Sequence, residues 1–166
     1  MAVRDDFSAG EVLAAADLND TFAAKLDLAG GKILQIVRAT DSTDRTTTST
    51  SLVDANISVT ITPQKSDSAV LLIWAKIVRH PSSQYIICAI TDSSNNAISG
   101  ANVDAVGASS AHASPAASLI SIGYATPATT SATTYKGRFR SSGGGSASIL
   151  NSGNSIGQMY AIEVSA

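Results

Sequence analysis

Residues Ala55, Ile57, Val59 and Ile61 alternate with Asn56, Ser58, Thr60 and Thr62, a repeat of two that only an extended strand with one dry and one wet face can use. Segments of this kind recur from Lys32 to the end of the chain, separated by clusters of Gly, Pro, Asn, Asp and Ser. The spacing predicts strands over Ile33 to Thr40, Leu52 to Thr62, Ala69 to Arg79, Gln84 to Thr91, Ala97 to Asp104, Ala117 to Thr126, Thr133 to Ser141, Ala147 to Leu150 and Ile156 to Val164. Composition agrees with strands and turns over helices, since Ser and Thr abound and Glu occurs only as Glu11 and Glu163. The expected architecture is mainly β, an antiparallel β-sandwich of jelly-roll type.

Two predicted strands do not alternate. Val70-Leu71-Leu72-Ile73-Trp74-Ala75 and Tyr85-Ile86-Ile87-Cys88-Ala89-Ile90 are apolar on both sides, so each asks for burial of both faces. A two-layer sandwich covers one face of each sheet. Either a neighbouring subunit or a loop folded over the sheet must cover the other.

Before Gly30-Gly31 the pattern is different: the stretch is rich in Ala, and Leu18, Phe22 and Leu26 fall on one helical face. This predicts a short helical arm starting near Ala14 or Ala15, with Ser8 and Glu11 or Asp17 and Asp20 as alternative N-terminal signals. The domain division is therefore 1–31 for the arm and 32–166 for the sandwich. A helix of about 12 residues is marginal alone, so the stripe needs a partner.

Charged residues are 14% of the 166 and the net charge is -2, which supports neither disorder nor nucleic-acid binding. The N-terminus has no apolar core of a signal peptide and no run is long enough to span a membrane, so cytoplasmic synthesis without membrane insertion is expected.

No catalytic, metal or cofactor pattern emerges, and the chain reads as a non-enzyme without a cofactor. Gly143 to Gly145 and Gly30-Gly31-Lys32 both miss the spacing of a phosphate loop. Asp92-Ser93-Ser94-Asn95-Asn96 starts like a calcium loop but continues with Ala97 and Val103 where Gly and Glu are needed, so a β-turn is expected. His80 and His112 are expected on the surface, and Cys88 in the interior as a structural thiol. The tracts 44–50, 108–115 and 141–146 are low in complexity and read as loops.

Lys136, Arg138 and Arg140 alternate with Tyr135, Gly137 and Phe139 and so line one side of a strand. One account is a charged edge strand that resists pairing, the other a contact for anionic glycan or an acidic partner.

The run Phe7-Ser8-Ala9-Gly10-Glu11-Val12-Leu13-Ala14-Ala15-Ala16-Asp17-Leu18-Asn19-Asp20, continuing to Phe22-Ala23-Ala24-Lys25-Leu26-Asp27, resembles the opening of tailed-bacteriophage tail-fibre and related virion fibre proteins. Gly31-Lys32-Ile33-Leu34-Gln35-Ile36-Val37, the Thr/Ser tract to Ser51, and the stretch from Ser58 through Pro63 to Ile73 are similar to β-sandwich domains of such fibres. The resemblance implies a structural virion protein, assembled in the host cytoplasm as a homotrimer. In it Val12, Leu13, Leu18, Phe22 and Leu26 dock onto tail, collar or capsid proteins, and the sandwich faces outward for host attachment, with bacterial surface glycan as a candidate ligand. The chain lacks a long repetitive shaft, which leaves head fibre, collar or capsid decoration protein as the alternative. A cellular lectin-like trimer stands behind both.

Overall fold

The computed structural model describes residues 31–80, 84–98, 101, 104–107 and 116–166, with side chains omitted at 104–107. The arm and its five docking residues, together with His112, lie outside the described residues. Ten strands make two antiparallel sheets: β1 (Ile33–Asp41), β2 (Arg45–Thr47), β3 (Val53–Ile61), β4 (Ala69–Arg79), β5 (Tyr85–Asp92), β6 (Asp104–Gly107), β7 (Ala116–Ala125), β8 (Thr133–Ser141), β9 (Ala147–Leu150) and β10 (Gly157–Val164).

Eight of the nine sequence-predicted strands form within about a residue of their expected limits. Ala97 to Asp104 is a correction: Ala97 makes only an isolated bridge to Thr91, and the strand there is Asp104–Gly107. Its neighbour Ile98 gives its amide to the Ile90 carbonyl, so here the chain turns straight back onto the end of β5. The other correction is β2, which lies in the tract read as a loop. It is only three residues long and pairs with β9, where Thr46 Oγ1 lies 3.0 Å from Ser148 Oγ.

Strand pairing follows one rule. β1 pairs with β10, β2 with β9, β3 with β8, β4 with β7 and β5 with β6, so the chain is a long antiparallel ribbon doubled back on itself. Further pairing of β4 with β10 and β9, and of β5 with β8, rolls the ribbon into two layers. One layer is six-stranded, but β1 and β2 run end to end, as do β10 and β9, so it has four rows. The other layer has the order β3-β8-β5-β6.

Both doubled rows of the first layer break at the same level, and side chains stitch the break. Asp44 Oδ1 accepts the amides of Asn151 at 2.7 Å and Ser152 at 2.8 Å, while Asp41 accepts Asn151 Nδ2 at 3.0 Å. The Ser152 and Asn151 bonds hold the Asp44 carboxyl below the usual carboxylate range.

Between the layers lies the core. Ala55, Ile57, Val59 and Ile61 from β3 meet Leu72, Trp74 and Val78 from β4, with Ile86, Cys88, Ile90, Tyr135 and Phe139 alongside. Trp74 has no exposed surface, and Gly137 lies against it. A Cβ there would stand 2.8 Å from Ile57 Cγ2 and 2.9 Å from the indole, so this position admits only glycine without movement. Opposite Gly137 the β3–β8 register jumps from Asp54–Arg138 to Ser58–Lys136, a bulge in which Asn56 takes a φ of 54° and gives its amide to Asp54 Oδ1.

Candidate functional site

Each layer has an outer side, and the two differ. On the β1-β10-β4-β7 layer, register places Ile36, Ile162, Leu71 and Tyr124 in one row, Arg38, Tyr160, Ile73 and Ile122 in the next, and Thr40, Gln158, Ala75 and Ile120 in the third. Ile36 and Ile120 are each 57% exposed, Tyr124 54% and Ile122 47%. Arg38 is the one ionic side chain in these rows. At the edge of this face, where β9 and β10 part along β4, Ala75, Ile77, Ile120, Leu150 and Gln158 line a shallow hollow of about 420 Å³. A contiguous apolar surface of this kind is the mark of an interaction site.

The non-alternating β4 foretold this face, but sequence reasoning missed its β1, β7 and β10 members. A signal was present in β7, where Ile120, Ile122 and Tyr124 alternate with Leu119, Ser121 and Gly123, and Ser121 and Gly123 are the buried ones. The larger residues were on the outside.

Among the described residues, the outer side of the second layer is polar except along β5, where Tyr85, Ile87 and Ala89 face outward. Asp54, Ser58 and Thr60 of β3 are exposed, and Thr60 Oγ1 lies 2.8 Å from Thr134 Oγ1. Lys136, Arg138 and Arg140 line this side together, with Tyr135, Gly137 and Phe139 facing the core. β8 is paired on both sides, with β3 and β5, so the edge-guard account of the stripe is overturned. The three cations point to backbone carbonyls: Lys136 Nζ donates to Ser93 at 2.9 Å, Arg138 Nη2 to Leu52 at 2.6 Å and Arg140 Nη1 to Thr50 at 3.3 Å. They also lie directly opposite Thr91, Ala89 and Ile87. On this side of β5, Ala89 and Thr91 are buried while Tyr85 remains 51% exposed.

His80, expected on the surface, is 1% exposed, with Nε2 3.1 Å from Ser141 Oγ. Proximity to Pro81 marked a strand end and did not reveal that the ring turns inward. Cys88 is buried, as expected. The Asp92 turn also forms: the carboxylate accepts the amides of Ser94 and Asn96 at 2.8 and 2.9 Å and Asn96 Nδ2 at 3.0 Å. The side-chain and then the backbone bond from Asn96 lead in lowering its pKa.

Two buried charged groups went unnoticed in the sequence. Lys76 Nζ donates to Ser121 Oγ at 2.6 Å and sits 3.9 Å from the Trp74 ring centroid. Glu163 has no exposed surface and accepts Ser68 Oγ at 2.6 Å, Gln35 Nε2 at 2.6 Å, and the amides of Gln64 and Lys65 at 2.8 and 3.3 Å. Burial pushes its pKa up, but these four donors more than offset it and hold the carboxyl below its usual range. Glu163 thereby ties β10 and β1 to the turn between β3 and β4.

The chain matches no protein-family model and no curated protein.

Proposed function

We propose that this chain is a structural subunit of a bacteriophage virion fibre. It assembles as a homotrimer through the outer side of the β1-β10-β4-β7 layer, is docked by Val12, Leu13, Leu18, Phe22 and Leu26, and presents its sandwich to the host surface. The observation that carries the reading is the contrast between the apolar rows on that side and the polar side opposite. Left in water, surface of this extent favours association by roughly 25 cal/mol per Å² removed, before the costs of ordering. Resemblance of residues 7 to 78 to virion fibres supports the class of assembly.

The nested pairing, counted as eight rows in two four-row layers, supports a jelly roll. The ends of the molecule support the orientation. Gly31 enters beside Ser165, its amide 2.9 Å from the Ser165 carbonyl, while the links 48–52 and 142–146 lie at the opposite end. An arm at the particle would therefore leave Ser-, Thr- and Gly-rich links facing away from it.

The alternative, a head fibre, collar or capsid decoration protein without a receptor, is favoured by one observation. The basic stripe spends hydrogen bonds on its own chain's carbonyls.

Sedimentation equilibrium at micromolar concentration tests the assembly. The expected mass is three times the 16.9 kDa of one chain, and a clean monomer would overturn the reading.

A further inference from the structure

A cleft of about 440 Å³ opens at the end of the sandwich where the chain enters, between the turn after β5 and the link from β7 to β8. This is within the roughly 300–1,000 Å³ of small-ligand sites. We propose that it binds a neutral saccharide, held by the Tyr135 hydroxyl, the Asp92 carboxylate and the ring of Tyr124.

Tyr135 is 2% exposed and lines the cleft. Its oxygen is not among the sealed polar atoms that lack a partner, so water can pair with it in the free protein and a ligand hydroxyl in the cleft would take that water's place. Burial, and then the Asp92 charge, raises its pKa, so it stays protonated and can donate.

Asp92 supplies the opposite function. A carboxylate has about four acceptor sites, and Ser94, Asn96 and the Asn96 side chain use three, which leaves room on Oδ2. A donor and an acceptor converging on one cleft suit a group that does both, and a hydroxyl is such a group. Ile98, Ala125 and Pro127 add apolar wall, Thr126 and Thr133 add hydroxyls, and Tyr124 offers a half-exposed ring for the C–H face of a sugar.

The link beside the wall is also strained. Ala128, in the β7–β8 link, is held at a φ of 53°, a left-handed conformation that alanine rarely takes and that recurs at ligand sites.

This inference shares Tyr124 with the face proposed for assembly, and the oligomer mass measured on the same sample separates the failure of the one from the failure of the other. Saturation-transfer NMR with the methyl glycosides of glucose, galactose, mannose and N-acetylglucosamine, each at about 20 mM to reach millimolar affinities, is the test. At least one glycoside should bind, and Tyr135→Phe, which removes one oxygen from a buried ring, should weaken it about tenfold with the fold kept. Asp92→Asn should weaken it similarly, and Tyr124→Ala more. Absence of binding by all four, or binding unchanged in Tyr135→Phe and Asp92→Asn, overturns the proposal. So does indole binding equally well to the wild type and to Tyr135→Phe, since the cleft would then be an apolar pocket.

Discussion

On one outer side of the sandwich, three cross-strand rows turn Ile, Leu and Tyr to solvent. On the other, the outward positions carry Asp, Ser, Thr, Lys and Arg, with apolar residues along β5. The central strands beneath these two sides look alike in sequence, because β4 and β5 are both apolar on both faces. Their neighbours make the difference. β5 lies beside a strand whose outward residues are long and basic, while β4 lies between β7 and β10, whose outward residues are apolar apart from Ser118 and Gln158. An apolar strand therefore predicts an interface only when the strands flanking it are also apolar on the same side.

The sharpest way to break the comparison is to charge one side and neutralise the other. Ile122→Asp in the middle row should weaken assembly by about 100-fold or more, as expected for a central interface residue, and leave the subunit folded. Replacing Lys136, Arg138 and Arg140 by Ser should leave the assembly mass unchanged and alter stability by no more than about 1 kcal/mol per residue. Sedimentation velocity of both variants decides, and equal dissociation would show that the apolar side is not the contact.

Substitutions inside should affect both sides alike. Gly137→Ala forces Trp74 or Ile57 to move and should cost roughly 1–3 kcal/mol by denaturant melt, with the assembly mass preserved. Strain confined to the polar side would instead leave the melt unchanged.

A smaller effect is expected at Glu163. Its carboxyl pKa is lowered in the fold, so its contribution is complete above the ordinary value of 4.5 and is lost as pH falls through the folded value. Glu163→Gln should cost about 1–2 kcal/mol at pH 7, limited because the Gln35 amide can turn to accept from the new donor. The variant should also lose part of the acid sensitivity below pH 4.5, and melts across pH 3 to 7 measure both. A pH profile identical to that of the wild type would refute the role given to this carboxylate.

Strand positions were largely legible in the sequence because alternation is local, and for β4, β8 and β9 the limits were read without error. Pairing partners were not, since nothing in Thr133 to Ser141 says whether that strand lies at an edge or between two others. That is why the stripe was open to an edge reading. The short β2 escaped because Arg45-Thr46-Thr47 has no apolar repeat and is a strand only by virtue of β9. Of the candidate sites, the apolar side was half visible in β4, while the cleft was not visible at all. Asp92 and Tyr135 are 43 positions apart and meet through the register of β5 with β8.

The doubled-back ribbon also sets the order in which the molecule can be made. Its outermost pair joins Ile33 to Val164, and β10 forms a middle row, between β1 and β4. Contacts so distant along the chain close slowly, and they close last. The inner pairs β4 with β7 and β5 with β6 lie wholly ahead of β10 in the chain and can form without it. Until the final residues appear, β1 has no partner and the apolar surface of β4 lacks a neighbour on one flank. Loss of even a few C-terminal residues would leave the growing protein at the stage where it is most prone to aggregate.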